Sequence, residues 1–136
     1  MAETLVMADT CIWIDYFNRP GSRVSQHLGE LIQDERVALV GPVLAELLSG
    51  TRTKEELDLI NETLDILPYY EADLNAWKMT AMIMLQLKKH GKTVKLIDAL
   101  IASLCITNKL RLYSIDKDFD HIAHSFPMLI HYRHGS

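Results

Sequence analysis

Four carboxylates in this chain stand where packing alone gives little reason for them. Asp9 directly follows Leu5-Val6-Met7-Ala8, a wholly apolar run of the kind buried on both faces of a parallel sheet. Asp116 directly follows a second apolar run in "RLYSI". A carboxylate at the end of a buried strand is costly unless something pairs with it, and no basic residue appears until Arg19. Asp98 lies in "KLIDALIASLCI", in the first turn of a helix pattern and at the border of its apolar face. Glu46 sits within a short, mostly apolar helix pattern, between Ala45 and Leu47.

Each acid also has a structural reading. Asp9 can cap a helix, Asp98 can be a helix-start acid, Asp116 can open the turn "DKDFD", and Glu46 can face solvent. Together they ask for a shared partner, because converging carboxylates repel and no strand end supplies an arginine. Oxygen ligands without thiolates or a histidine cluster suit hard cations, Mg²⁺ or Mn²⁺. Such ions support phosphodiester hydrolysis, with one metal or two left open.

The elements that must position these acids are short. Strand signals cover residues 5–8, 37–40, 66–68 and 112–115, with a fifth at 128–131. Thr10 can cap a first helix carrying Ile12, Trp13, Tyr16 and Phe17. Ser22 can cap a second, running to about Gln33. "GPVLAELLSG" has Pro42 in a first turn and Gly50 past the end. Further helix patterns cover about 54–64, 71–89 and 96–108, and a short one follows Asp118. Strands alternating with helices imply crossovers and a parallel α/β sheet of four to five strands. Ligands bind such sheets outside the carboxyl ends of the strands, where Asp9 and Asp116 fall.

With these residues placed, the chain resembles the PIN-domain ribonucleases, in particular the VapC-type toxins of toxin–antitoxin pairs. The family's D-T/S after strand one is matched by "MADTCIW" with Asp9, and its A-E-L-x-x-G helix by "AELLSG" with Glu46. Its D-x-x-I-A helix is matched by "DALIAS" with Asp98, and its T-x-D-x-D-F segment by "SIDKDF" with Asp116, where Ser114 replaces the usual threonine. Four weak motifs in order over nearly the whole length make one strong pattern. The resemblance implies a metal-dependent endoribonuclease acting on a structured RNA, held as a homodimer and bound by a small antitoxin. Asp9, Glu46, Asp98 and Asp116 are then the catalytic acids and metal ligands. Thr10, Ser114 and Asp118 are candidates to orient them.

Composition is compatible with this. The 136 residues, 49% of them hydrophobic, suit one domain over 1–136, with the last few residues read as a tail that is disordered or foreign to the native chain. No signal peptide or membrane span is expected. Cys11 and Cys105 read as buried reduced thiols of a cytoplasmic protein. The net charge of −4 argues against nucleic acid at first. Bound cations reverse the local sign, and setting four ligand acids aside leaves acids and bases equal in number. Arg19, Arg52, Lys92, Lys95 and Lys117, with Lys88 and Lys89, are candidates to guide RNA phosphates. Loop recognition by shape leaves tRNA, ribosomal RNA and messenger RNA undistinguished.

In the helix of residues 71–89, Leu74, Trp77, Ala81, Met84 and Leu85 are expected to face the core. Met79 and Ile83 then form an outer patch for a partner helix. Three other functions compete. A metal-free nuclease would use the pairs His121/His124 or His131/His134, which read better as surface residues. A phosphoacceptor domain would need a second acid beside Asp9, where Thr10 and Cys11 stand. A non-catalytic RNA-binding module would not need all four acids.

Overall fold

Short apolar runs alternating with amphipathic segments build a central sheet flanked by helices in the computed structural model, which describes residues 4–133. The order is β1 (Val6–Ala8), α1 (Thr10–Asn18), α2 (Arg23–Gln33), β2 (Val37–Val40), α3 (Gly41–Ser49) and α4 (Lys54–Leu64). There follow β3 (Tyr69–Tyr70), α5 (Leu74–Lys89), α6 (Leu96–Thr107), β4 (Arg111–Tyr113) and α7 (Asp118–Ser125). The strands lie in the order β3-β2-β1-β4 and all pair in parallel. The chain steps outward from β1 to β2 and β3, then returns to the other side of β1 with β4. That reversal puts the crevice between the carboxyl ends of β1 and β4. Every residue of β1 and β2 is buried, as uninterrupted apolar runs require. The expected tail, residues 134–136, lies outside the described residues, as does His134 of the second histidine pair.

The sheet departs from the sequence reading at its edges. The third strand is Tyr69–Tyr70, after the expected 66–68. Pro68 has no N–H to donate, and its carbonyl accepts from Leu39 N–H at 2.8 Å, so pairing begins beyond it. The fourth strand ends at Tyr113, not at Ile115. A fifth strand at 128–131 does not form among the described residues; a single parallel bridge joins Leu112 to His131. Its hydrogen bonds run from Leu112 N–H to Ile130 O and from Tyr132 N–H to Leu112 O.

Three helices close with the same turn, in which the second residue past the cap reaches back to the last turn. At the end of α5, Gly91 takes φ +74° and Lys92 N–H bonds Leu87 O at 2.9 Å. Glu35 (φ 57°) does this after α2 and Lys109 (φ 56°) after α6, each just before a strand.

The largest correction concerns α5, which begins at Leu74 with Asp73 as its cap and presents the opposite face from that expected. Ala76, Thr80, Ile83 and Leu87 are buried, whereas Leu74 is 68% and Trp77 46% exposed, with Leu85 and Ala81 also outside. Ala76 and Thr80 make the near half of the inner face small where α5 meets Ser103 of α6, and Ile83 and Leu87 fill the rest of it. The hydroxyls of Thr80 and of Ser103 on α6 both donate to the Ala76 carbonyl, so the buried polar atoms are satisfied. Ile83 is therefore core and not partner surface. Ile83→Ala should lower unfolding free energy by about 2–5 kcal/mol in urea denaturation. Leu74→Ala should stay within about 0.5 kcal/mol, and equal losses at the two positions would contradict this orientation.

Candidate metal centre

Asp9 leaves β1 at its carboxyl end and is 8% exposed. Its Oδ1 accepts from Thr10 N–H at 2.8 Å, and its Oδ2 accepts from Ser114 Oγ at 3.0 Å and lies 3.5 Å from Cys11 Sγ. Asp9, not Thr10, is thus the N-cap of α1. Thr10, the first helical residue, turns its hydroxyl to donate to Glu46 Oε1 at 2.7 Å, linking α1 to α3. Ser114 also accepts from Asp116 N–H at 3.0 Å, which explains the early end of β4: its hydroxyl holds the chain in a turn. Asp116 Oδ1 then accepts from Asp118 N–H at 2.9 Å. Carboxylate oxygens of Asp98, Asp116 and Asp118 lie within 4.8 Å of one another.

Three helices begin at this crevice. Asp9 caps α1, Asp98 is in the first turn of α6 and Asp118 in that of α7. Helix N-termini favour anions, yet the crowding is only partly offset. Burial, then the charges of Asp116, Asp9 and Asp118, push Asp98 up to about 6, against a smaller downward pull from Lys95. Burial also raises Asp9, with Glu46 adding to it, while Thr10 N–H, Ser114 and Cys11 hold it down. The donors are all oxygens and lie close together, and Asp9 and Asp98 among them are held above the ordinary carboxylate range. This is the chemistry of a hard divalent cation site, and the residues fit one.

The candidate RNA-guiding residues do not form one group. Arg19 pairs with Asp15 at 3.7 Å. Arg52 borders a groove on the Glu46 side, Lys95 and Lys117 precede α6 and α7, and Lys92 contacts His121. Two features escaped the sequence reading. Cys11 is half-buried at Asp9 rather than lost in the core. Burial, followed by the charge of Asp9, raises its thiol pKa, so it acts as a neutral neighbour and not a thiolate ligand. The second is a groove of about 530 Å³ among α1, α3 and α4, lined by Ile14, Phe17, Leu47, Leu59 and Ile60, with Glu46 on its wall. Its apolar lining comes from three separate helices and gave no linear signal for it.

The model of the PIN domain matches residues 6–125, and the chain belongs to the PIN-domain family. It is similar to the ribonuclease VapC11 of Mycobacterium tuberculosis and to a VapC ribonuclease of Mycobacterium bovis. Each is 31% identical over 123 residues, 88% of this chain and 92% of the relative. Among solved structures, VapBC2 from Rickettsia felis bound to a promoter DNA fragment shares the fold with a TM-score of 0.75 and 23% identity, over 95% of this chain and 98% of that one. DNA-bound VapBC from Salmonella typhimurium gives 0.75 and 20% over 96% and 98%.

The crowding has a measurable sign. Folded Asp98 keeps its proton up to about pH 6, whereas an unfolded aspartate releases it near pH 4. Its charge therefore costs stability: not below about pH 4, increasingly between there and about pH 6, and fully above. In metal-free protein, Asp98→Asn should raise Tm near neutral pH and change it little at about pH 4. A gain of equal size at both values would show that charge is not the cause.

Proposed function

We propose that this chain is a divalent-metal-dependent endoribonuclease, the toxin of a toxin–antitoxin pair, hydrolysing phosphodiester bonds of a structured RNA in the cytoplasm. The observation that carries it is the convergence of Asp98, Asp116 and Asp118 beside Asp9 in a chain whose curated relatives are VapC ribonucleases. No helix among the described residues is long and apolar enough to cross a membrane, and its two cysteines are free, consistent with a reducing compartment.

Asp9, Asp98 and Asp116 would hold Mg²⁺ or Mn²⁺, with Glu46 and Asp118 completing the shell for one ion or two. Such an ion would supply Lewis acidity toward water and the phosphoryl oxygens. The protein's own part is orientation. Thr10 N–H and the Ser114 hydroxyl fix the two oxygens of Asp9, and Thr10 Oγ1 fixes Glu46. Lys95 and Lys117, at the starts of α6 and α7, face incoming phosphates beside the acids. The second histidine pair of the alternative loses support, because His131 is 11% exposed and lies 3.4 Å from Asp120.

Cleavage of a fluorogenic RNA should need Mg²⁺ or Mn²⁺ and cease with EDTA. Asp9→Asn should lose on the order of 10²-fold or more in kcat. Products should carry a 5′-phosphate and a 3′-hydroxyl by mass spectrometry. Cyclic phosphates or undiminished metal-free turnover would overturn the mechanism.

The partners divide between two surfaces. Several structural neighbours are toxin–antitoxin complexes, such as that from Klebsiella pneumoniae. The groove with Glu46 on its wall suits an apolar helix of a small antitoxin carrying a basic side chain toward the acids. The outer stripe of Leu74, Trp77, Ala81 and Leu85 on α5 suits a second copy of the chain. Leu59→Asp should weaken antitoxin binding by calorimetry at least about tenfold and leave the homodimer intact. Trp77→Asp should do the reverse in sedimentation, and a swap of these outcomes would exchange the two surfaces.

A further inference from the structure

A second hollow, of about 460 Å³, opens between the end of α5, the turn that follows it and α7. Its polar wall is Gln86, His90, Lys92, His121, His124 and Ser125, without a carboxylate, in a chain with 18 acidic residues against 14 basic ones. Asp120, on the same helix, pairs instead with His131. Lys92, set by the turn at Gly91, places Nζ 2.8 Å from His121 Nδ1. An ammonium only donates, so Nδ1 accepts and the ring proton sits on Nε2. That N–H points to the other side of the ring from Lys92, so the remaining ammonium hydrogens are the donors left for an acceptor beside Lys92. The histidines do not form a metal-ligand set: among the described residues, the group converging to within 4.8 Å is Asp98, Asp116 and Asp118. Asp118 stands one turn before His121 and two before His124 on α7, ~5 and ~9 Å along the axis. The hollow and the acid cluster thus share α7.

We propose that this hollow is an anion subsite that holds a backbone phosphate of the RNA strand next to the bond being cut, an inference that rests on the ribonuclease reading. Lys92 grips the phosphate and His121 holds the ammonium in place, while His90, His124, Gln86 and Ser125 line the hollow around it. The contact reads backbone and not base, so it sets the register of the strand over the acids without selecting sequence.

The test compares wild type with Lys92→Ala, His121→Ala and Lys92→Arg. Each is assayed for cleavage of a mixed-sequence single-stranded RNA oligonucleotide over a range of NaCl concentrations. Histidine imidazole resonances are followed by NMR as the same oligonucleotide is added with EDTA. Both alanine variants should raise KM several-fold, with the loss falling on KM more than on kcat, and Lys92→Arg should restore it. The slope of log KM against log salt should fall by about 0.7, one single-strand phosphate contact. The imidazole signals of His121 and His124 should move in wild type and stay still in Lys92→Ala. RNA cleaved with unchanged KM and salt slope in both alanine variants would overturn the subsite and leave the ribonuclease reading intact. Imidazole shifts abolished by Lys92→Ala, in a protein that cuts no RNA, would uphold the subsite and sink that reading.

Discussion

The crowding of Asp9, Asp98, Asp116 and Asp118 at one edge of the sheet raises the free energy of the folded chain, and the neighbouring elements are arranged to offset it. Three helices point their N-termini at the acids, each contributing partial positive charge and free N–H groups. Thr10 N–H, Ser114 and Cys11 donate to Asp9, and Ser114 also folds the segment after β4 so that Asp116 turns inward. These devices hold the carboxylates in place without discharging them. Burial and residual repulsion together keep the pKa of Asp98 raised, a condition that a divalent cation would relieve. Stability surrendered at this edge is recovered elsewhere, in strands buried on both faces and in the tight α5–α6 contact.

That arrangement also sorts the surface. On one flank of the acids, Glu46 shares a groove with exposed Ile14 and Leu59. On the other, α7 leads from Asp118 to a hollow of lysine and histidine. The acids thus lie between an apolar trough and a basic one. The outer stripe of α5 belongs to neither.

The position of Asp9 was legible because an apolar run ends at it, and packing alone rarely places an acid directly after a buried strand; Asp116 stands beyond a turn held by Ser114, past the end of β4 at Tyr113. Glu46 and Asp98 were legible only as parts of an ordered set of motifs. The strands at 37–40 and 5–8 were read nearly to the residue, since burial on both faces leaves no polar ambiguity. The inner face of α5 is not legible from hydrophobicity, because size decides it. Leu74, Trp77 and Leu85 look like core, yet only Ala76 and Thr80 let two helices meet closely. Cys11 looks like a core thiol because its neighbours in sequence are apolar, while its neighbours in space are Asp9 and Ser114. The hollow beside α7 joins residues about thirty positions apart and has no local signature.

The two tryptophans lie at opposite extremes of environment. Trp13 is fully buried on α1, stacked on Phe17 and edge-on to Tyr16, with its indole nitrogen unpaired. Trp77 is half in water on the outer face of α5. The chain therefore carries two optical probes separable by colour and by quencher access. One glows blue from a dry core one helical turn from Asp9, and the other glows red until something covers α5. Light emitted by a single unlabelled protein can thus distinguish loosening of the edge that carries Asp9 from covering of the outer face of α5.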